Sequence, residues 1–234
     1  MIVGGVQWTT LLDYPDHVAA TVFTAGCNFR CPFCHNPELV LPELVRQSSA
    51  ELDESFFTEL ETRRGFLDAI VISGGEPTLQ SDLGEVLARI KGLGYLIKLD
   101  TNGSRPDLIQ RVLESGWVDF VAMDIKAPPD AYGELSGSLV DISAIQASMA
   151  TIARLAPRYE FRTTAAPGLS QNDLIRIGDW IESGQEYWLQ EFQVPIDKAL
   201  VGEGYGEMAA LTKDDLEAVW DRLRDRFDSG GVRG

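Results

Sequence analysis

Gly26-Cys-Asn-Phe-Arg-Cys-Pro-Phe-Cys-His-Asn36 contains every cysteine of the 234-residue chain, Cys27, Cys31 and Cys34, in a C-x3-C-x2-C spacing. A closed structural zinc site normally takes four protein ligands, usually as two separated pairs. Here the fourth candidate, His35, is adjacent to Cys34 and would strain to share one tetrahedral ion with it. An odd cysteine count, with no secretory segment, argues against a disulfide framework. Buried free thiols are common, but rarely three in so short a stretch. An iron–sulfur cluster takes thiolates at short spacings, and four saturate a cubane. Three thiolates on one loop, with no fourth cysteine in the chain, would leave one iron open to a small molecule.

Working outward, residues 19–23 (Ala-Ala-Thr-Val-Phe) predict a strand that feeds directly into this loop. Similar runs predict strands over 69–73, 95–100, 120–124, 160–164 and 186–192. Amphipathic runs between them predict helices over 55–63, 82–91, 106–115, 141–155 and 171–183, and Thr212 is a good N-cap for a final helix. Strands alternating with helices imply a parallel sheet with right-handed crossovers. Six such units make either a doubly wound sheet or an open, partial barrel, and the pattern alone leaves both open. In barrels the chemistry gathers at the C-terminal ends of the strands.

The cysteine loop, with Leu11-Leu-Asp-Tyr-Pro-Asp-His17 before it and Pro37 after it, resembles the radical S-adenosylmethionine (SAM) superfamily. Within it the stretch is similar to glycyl-radical activating enzymes. The nearest resemblance is to the activating proteins of anaerobic ribonucleoside-triphosphate reductase, with pyruvate formate-lyase activating enzymes close by. Matching segments run to about Gln193. The resemblance implies an α/β fold, a partial (β/α)6 barrel with parallel strands and outer helices. It also implies a 4Fe–4S cluster on Cys27, Cys31 and Cys34, with SAM chelating the fourth iron. The expected activity is reductive cleavage of SAM to a 5′-deoxyadenosyl radical, which takes a hydrogen from a glycine of a partner enzyme. The expected partner is anaerobic ribonucleotide reductase. With no cysteines for a second cluster, the electron would come from an external donor such as flavodoxin or ferredoxin. The alternative is a radical SAM enzyme acting on a small molecule, such as a 7-carboxy-7-deazaguanine synthase.

The remaining motifs fall after the expected strands. Gly26 lets the backbone turn toward the cluster and Pro32 stiffens the loop. Phe33 stands where the superfamily commonly has an aromatic residue near the SAM adenine, though it could equally shield the cluster. His35-Asn36 matches the C-H-N variant of the activases, without marking His35 as an iron ligand. Ser73-Gly-Gly-Glu-Pro77 alone would read as a turn. In context Gly74, Gly75 and Glu76 resemble the segment that binds the SAM ammonium, with Ser73 a neighbouring candidate. Asp100-Thr-Asn-Gly103 resembles the activase segment lying against the methionine part of SAM, which brings in Asp100 and Thr101. Asp124 and Lys126 alternate around Ile125 and so share the inner face. Buried charges must pair or meet a charged ligand, and the family's D-x-K segment contacts the ribose hydroxyls and carboxylate of SAM. Arg162 is either an ion-pair partner or a further SAM contact. His17 reads as structural.

Composition sets wider bounds. A net charge of −16 argues against nucleic-acid binding through a basic face, which needs clustered Lys and Arg. No apolar run approaches a membrane span, and the start lacks the features of a secretory peptide. Reduced thiols and an oxygen-sensitive cluster point to the cytoplasm. One domain over 1–234 is expected, with a frayed tail over 228–234.

Overall fold

The computed structural model describes residues 1–181, 186–195 and 198–234. Its strands are β1 (Ile2–Thr10), β2 (Ala19–Thr24), β3 (Ala50–Glu51), β4 (Ala69–Gly74), β5 (Leu96–Thr101), β6 (Phe120–Asp124), β7 (Tyr159–Thr164), β8 (Glu186–Gln190) and β9 (Ser229–Arg233). They form one sheet in the order β3-β1-β2-β4-β5-β6-β7-β8-β9. From β2 to β9 every neighbouring pair is parallel. The sheet does not close, because β3 and β9 remain as edges. Helices α1 (Pro37–Val40), α2 (Pro42–Ser48) and α3 (Glu54–Thr62) lie between β2 and β4. The later crossovers are α4 (Leu83–Gly92), α5 (Pro106–Glu114), α6 (Tyr132–Ser136) with α7 (Ile142–Leu155), α8 (Gln171–Trp180) and α9 (Lys213–Leu223). This is the partial (β/α)6 barrel, with β2 and β4 to β8 as its six expected strands.

Three strands lie outside the expectation. β1 runs through Gly4 and Gly5, with register shifts, and pairs antiparallel with both β2 and β3. The tail over 228–234, expected to fray, instead supplies β9, in register with β8 from Glu186↔Ser229 to Gln190↔Arg233. A terminus frays unless it is tied down, and here the ladder to β8 ties it: ladder bonds need only backbone, and a Cβ on Gly230 would meet the Tyr187 carbonyl oxygen. The eighth strand ends at Gln190 rather than at 192. Helix α8 begins as expected, with a capping box between Ser170 and Asp173; its expected end at Ser183 lies outside the described residues. Thr212 caps α9 in the same way, through Asp215.

Alternation along each strand separates two environments. Ile70, Ile72, Ile97, Leu99, Val121, Met123 and Phe161 are buried against the helices in the main core. A small separate cluster of Tyr14, Ala19, Ala69, Val71 and Phe120 fills the inner face at the N-terminal ends of the strands. Tyr14 meets Phe120 edge to face, with ring centroids 5.7 Å apart. Above this plug the inner face turns polar, with Lys98 and Asp100 on β5, Asp124 on β6, and Glu160 and Arg162 on β7. Among the described residues no helix is long and apolar enough to cross a membrane.

Candidate active site

The cysteine loop leaves β2 at the C-terminal edge of the sheet and is pinned from several sides. Gly26 has φ +98°, and its N–H donates to the Leu39 carbonyl at 2.8 Å. Gly74 and Gly75 allow β4 to approach so closely that a Cβ on Gly75 would meet the Gly26 carbonyl oxygen at 2.1 Å. In their place the N–H groups of Gly75 and Glu76 donate to the carbonyls of Thr24 and Gly26, each at 2.8 Å. The two glycines therefore admit the chain's own backbone as well as lining the cavity. Arg30, which was not singled out from sequence, donates to the carbonyls of Cys27 at 2.6 Å and Phe29 at 2.7 Å. On the far side, Val201 and Gly202 donate to the carbonyls of Cys34 (3.1 Å) and Pro32 (2.8 Å).

All three cysteines border one cavity of about 130 Å³, widening to about 590 Å³ with its open mouth. Phe33 and Ser73 to Gly75 line it, as do Asp100, Thr101, Asp124, Lys126 and Arg162 from the later strand ends. Among the described residues no three His, Cys, Asp or Glu side chains converge closely enough to hold a single metal ion. Three soft thiols bordering a common space are a donor set that fits an iron–sulfur group. Burial is the main cause that pushes Cys27 up to about 11 and Cys31 up to about 12, and it raises Cys34 as well. In the metal-free chain these are thiols at neutral pH, and metal binding must displace their protons. The Phe29 N–H already points at Cys27 Sγ, 3.4 Å away. His35 packs against Phe192, ring centroids 5.6 Å apart, and its Nε2 is buried without a hydrogen-bond partner among the described residues.

The charged side of the cavity is an alternating network. Lys126 Nζ donates to Asp124 Oδ2 at 3.0 Å and Arg162 Nε donates to Asp124 Oδ1 at 2.9 Å. Arg162 also reaches Asp100 Oδ2 at 3.4 Å, and Lys98 Nζ holds Asp100 Oδ1 at 2.5 Å. Burial alone would raise the Asp124 carboxyl, but Arg162 and Lys126 outweigh it and hold Asp124 below the usual carboxylate range. Burial likewise opposes the Lys126 charge, and Asp124 reverses the outcome, holding Lys126 above the usual lysine range. Arg162 is thus an ion-pair partner, as one of its two sequence readings has it, and it also lines the cavity.

Glu76, expected near the SAM ammonium, is held by the chain's own donors. It is fully buried and lies behind the cavity wall. Its carboxylate accepts from Thr78 (N–H and hydroxyl), from the Thr101 hydroxyl at 2.8 Å and from the Asn102 N–H at 2.7 Å. Asn102 in turn donates to Asn28 Oδ1 at 3.0 Å, which ties the strand end to the cysteine loop. His17 lies at the opposite pole, 4.0 Å from Asp68. Sequence reasoning missed Asn102, Arg30 and Lys98. Lys98 was within reach, because its i, i+2 alternation with Asp100 is the argument applied to Asp124 and Lys126.

A sequence model of the radical SAM superfamily matches residues 21–181. The chain belongs to that superfamily. It is a radical SAM oxidoreductase, and membership implies S-adenosylmethionine and an iron–sulfur cluster as cofactors. A Methanocaldococcus jannaschii protein named as a glycyl-radical enzyme activating enzyme is 33% identical over 238 aligned residues, covering 99% of this chain and 95% of its own. The pyruvate formate-lyase-activating enzyme of Streptococcus mutans is 28% identical, with coverages of 74% and 68%. Among solved structures, SuiB of Streptococcus suis bound to S-adenosylmethionine superimposes with a TM-score of 0.64 at 14% identity. It covers 92% of this chain and 52% of its own, a likeness of fold. The radical SAM match ends before β8 and β9, so the last two strands extend the sheet beyond it.

Proposed function

We propose that Cys27, Cys31 and Cys34 hold a 4Fe–4S cluster, that SAM occupies the cavity beside it, and that the enzyme generates a glycyl radical on a partner enzyme. When bound, cluster and SAM together supply a 5′-deoxyadenosyl radical. The chain's own residues bind, orient and exclude water. Lys126 offers its ammonium to the SAM carboxylate, and Asp124, held ionised by two cations, accepts from the ribose hydroxyls. The backbone at Gly74 and Gly75 faces the SAM ammonium, while Glu76 braces that wall from behind instead of touching the ligand. Phe33, 6% exposed, gives an apolar face for the adenine and covers the loop. Asp100 and Thr101 close the methionine side, and Arg162 keeps both aspartates in place. The observation that carries this reading is the convergence of three thiols and these charged strand ends on one open cavity.

The partner we favour is anaerobic ribonucleotide reductase, with the electron delivered by flavodoxin or ferredoxin in the cytoplasm. Whole-length likeness to a protein named for glycyl-radical activation, together with C-H-N and D-T-N-G, supports a protein substrate over a small molecule. The test is anaerobic incubation of the iron-loaded protein with SAM, reductant and that reductase carrying deuterated glycine. A glycine-centred doublet in the paramagnetic spectrum and deuterium in 5′-deoxyadenosine are expected. Deuterium arriving instead from a purine-like small molecule would transfer the assignment to the small-molecule branch.

A further inference from the structure

Beneath the cavity, the inner faces of the last strands carry charges that the proposed chemistry leaves without a role. Glu160 shares its face of β7 with Arg162 and its side chain is 2% exposed. One carboxylate oxygen, Oε1, lies 3.7 Å from Arg162, and the other, Oε2, lies 3.0 Å from the guanidinium of Arg233 on β9. No hydrogen bond of good geometry satisfies Oε2, so this ion pair is its main compensation. The Arg233 guanidinium also lies over the Trp188 ring, 3.7 Å from its centroid, which fixes it above the inner face of β8.

Arg162 therefore stands between carboxylates that compete for it. Asp124 at 2.9 Å and Asp100 at 3.4 Å hold it at the cavity, while Glu160 at 3.7 Å draws it down the barrel. A buried carboxylate without a counter-ion is costly. Without Arg233, Arg162 would be the one ion-pair partner left to Glu160 among the described residues, and the guanidinium would be drawn off Asp124. We propose that Arg233 is a positioning residue for the SAM site: by neutralising Glu160, it leaves Arg162 free to hold Asp124 and Asp100 at the cavity. The proposal rests on the cavity being the SAM site. It gives the C-terminal strand, outside the span matched by the superfamily, a part in ligand binding.

The test is equilibrium dialysis of labelled SAM against the iron-loaded full-length protein, with iron content measured in each variant. Arg233→Gln should weaken SAM binding about tenfold, while Arg233→Lys stays within about threefold of wild type. The deciding variant is Glu160→Gln/Arg233→Gln, in which both charges are gone. It should recover binding to within about threefold, because nothing then competes for Arg162. A purely structural β9 gives no such recovery. Unchanged binding in Arg233→Gln, or a double variant as weak as the single one, overturns the proposal while leaving the SAM site standing. Should Arg233→Gln fail to take up iron, a tenfold loss in either Arg233→Lys or the double variant overturns it instead. No SAM binding by the wild-type protein would instead overturn the cavity assignment itself.

Discussion

Glu76 and Asp124 are both carboxylates at strand ends on the same rim, one just after β4 and the other closing β6, yet opposite chemistry holds them. Glu76 is fully buried among neutral donors, and its oxygens are taken up by Thr78, Thr101 and Asn102. Asp124 is held by two cations, and its side chain keeps 27% of its surface exposed at the cavity. Burial raises the Glu76 carboxyl, and its hydrogen bonds offset only part of this, whereas the cations around Asp124 more than reverse the same effect. The difference separates two jobs that a motif runs together. A carboxylate surrounded by the chain's own neutral donors braces the wall, while one held by two cations beside an open cavity has acceptor capacity left for a ligand.

The largest effect is therefore expected at Glu76. Glu76→Ala removes the acceptor from several buried donors, each costing about 1–3 kcal/mol when left unsatisfied. Chemical denaturation of the metal-free protein should show a loss of about 3–6 kcal/mol, together with poor iron retention after reconstitution. Full stability with SAM binding alone weakened would put Glu76 on the ligand and erase the contrast.

Asp124→Ala and Lys126→Ala come next. Each should weaken SAM binding about tenfold or more while iron content stays near wild type, since breaking a partly buried pair strands one charge at the ligand site. Parallel losses of iron, fold and SAM binding would make the pair a structural ion pair.

Much of this contrast could be read from the sequence, and the unread parts have physical causes. The six parallel strands were legible because apolar β-branched runs alternate with amphipathic ones, and the cysteine spacing is too unusual to arise from packing alone. Asp124 and Lys126 were legible through period-two alternation, which fixes a face without any knowledge of the partner strand. The donors around Glu76 were not legible, because a motif gives position along the chain but not which groups return from the end of β5, 25 and 26 residues later, to meet it. The outer strands β1 and β9 were not anticipated for a related reason: each contains a glycine pair, and it is a sheet neighbour that recruits their backbone. Arg30, Asn102 and Arg233 act through long-range contacts with carbonyls, a side-chain amide or a buried carboxylate, none of which leaves a periodic trace.

The smallest effect separates the two carboxylates by acid. The Asp124 carboxyl is lowered in the folded protein, so its stabilising contribution is present above its ordinary value of 3.8 and is lost as pH falls below it. The melting-temperature gap between wild type and Asp124→Asn, measured on metal-free protein, should be constant from about pH 5 upward and narrow progressively below pH 3.8. A gap that instead widened in acid would mean that Asp124 is not held ionised by Arg162 and Lys126.

The central claim is that three thiols on one loop hold a cluster with an open iron facing the SAM cavity. Iron, sulfide and zinc should be counted in anaerobically reconstituted protein, and 5′-deoxyadenosine measured after addition of SAM and dithionite. The account predicts about four irons and four sulfides per chain, with 5′-deoxyadenosine formed by the wild type and abolished in Cys27→Ala, Cys31→Ala and Cys34→Ala. One tightly bound zinc with no SAM cleavage, or wild-type cleavage by any of the three variants, would contradict it.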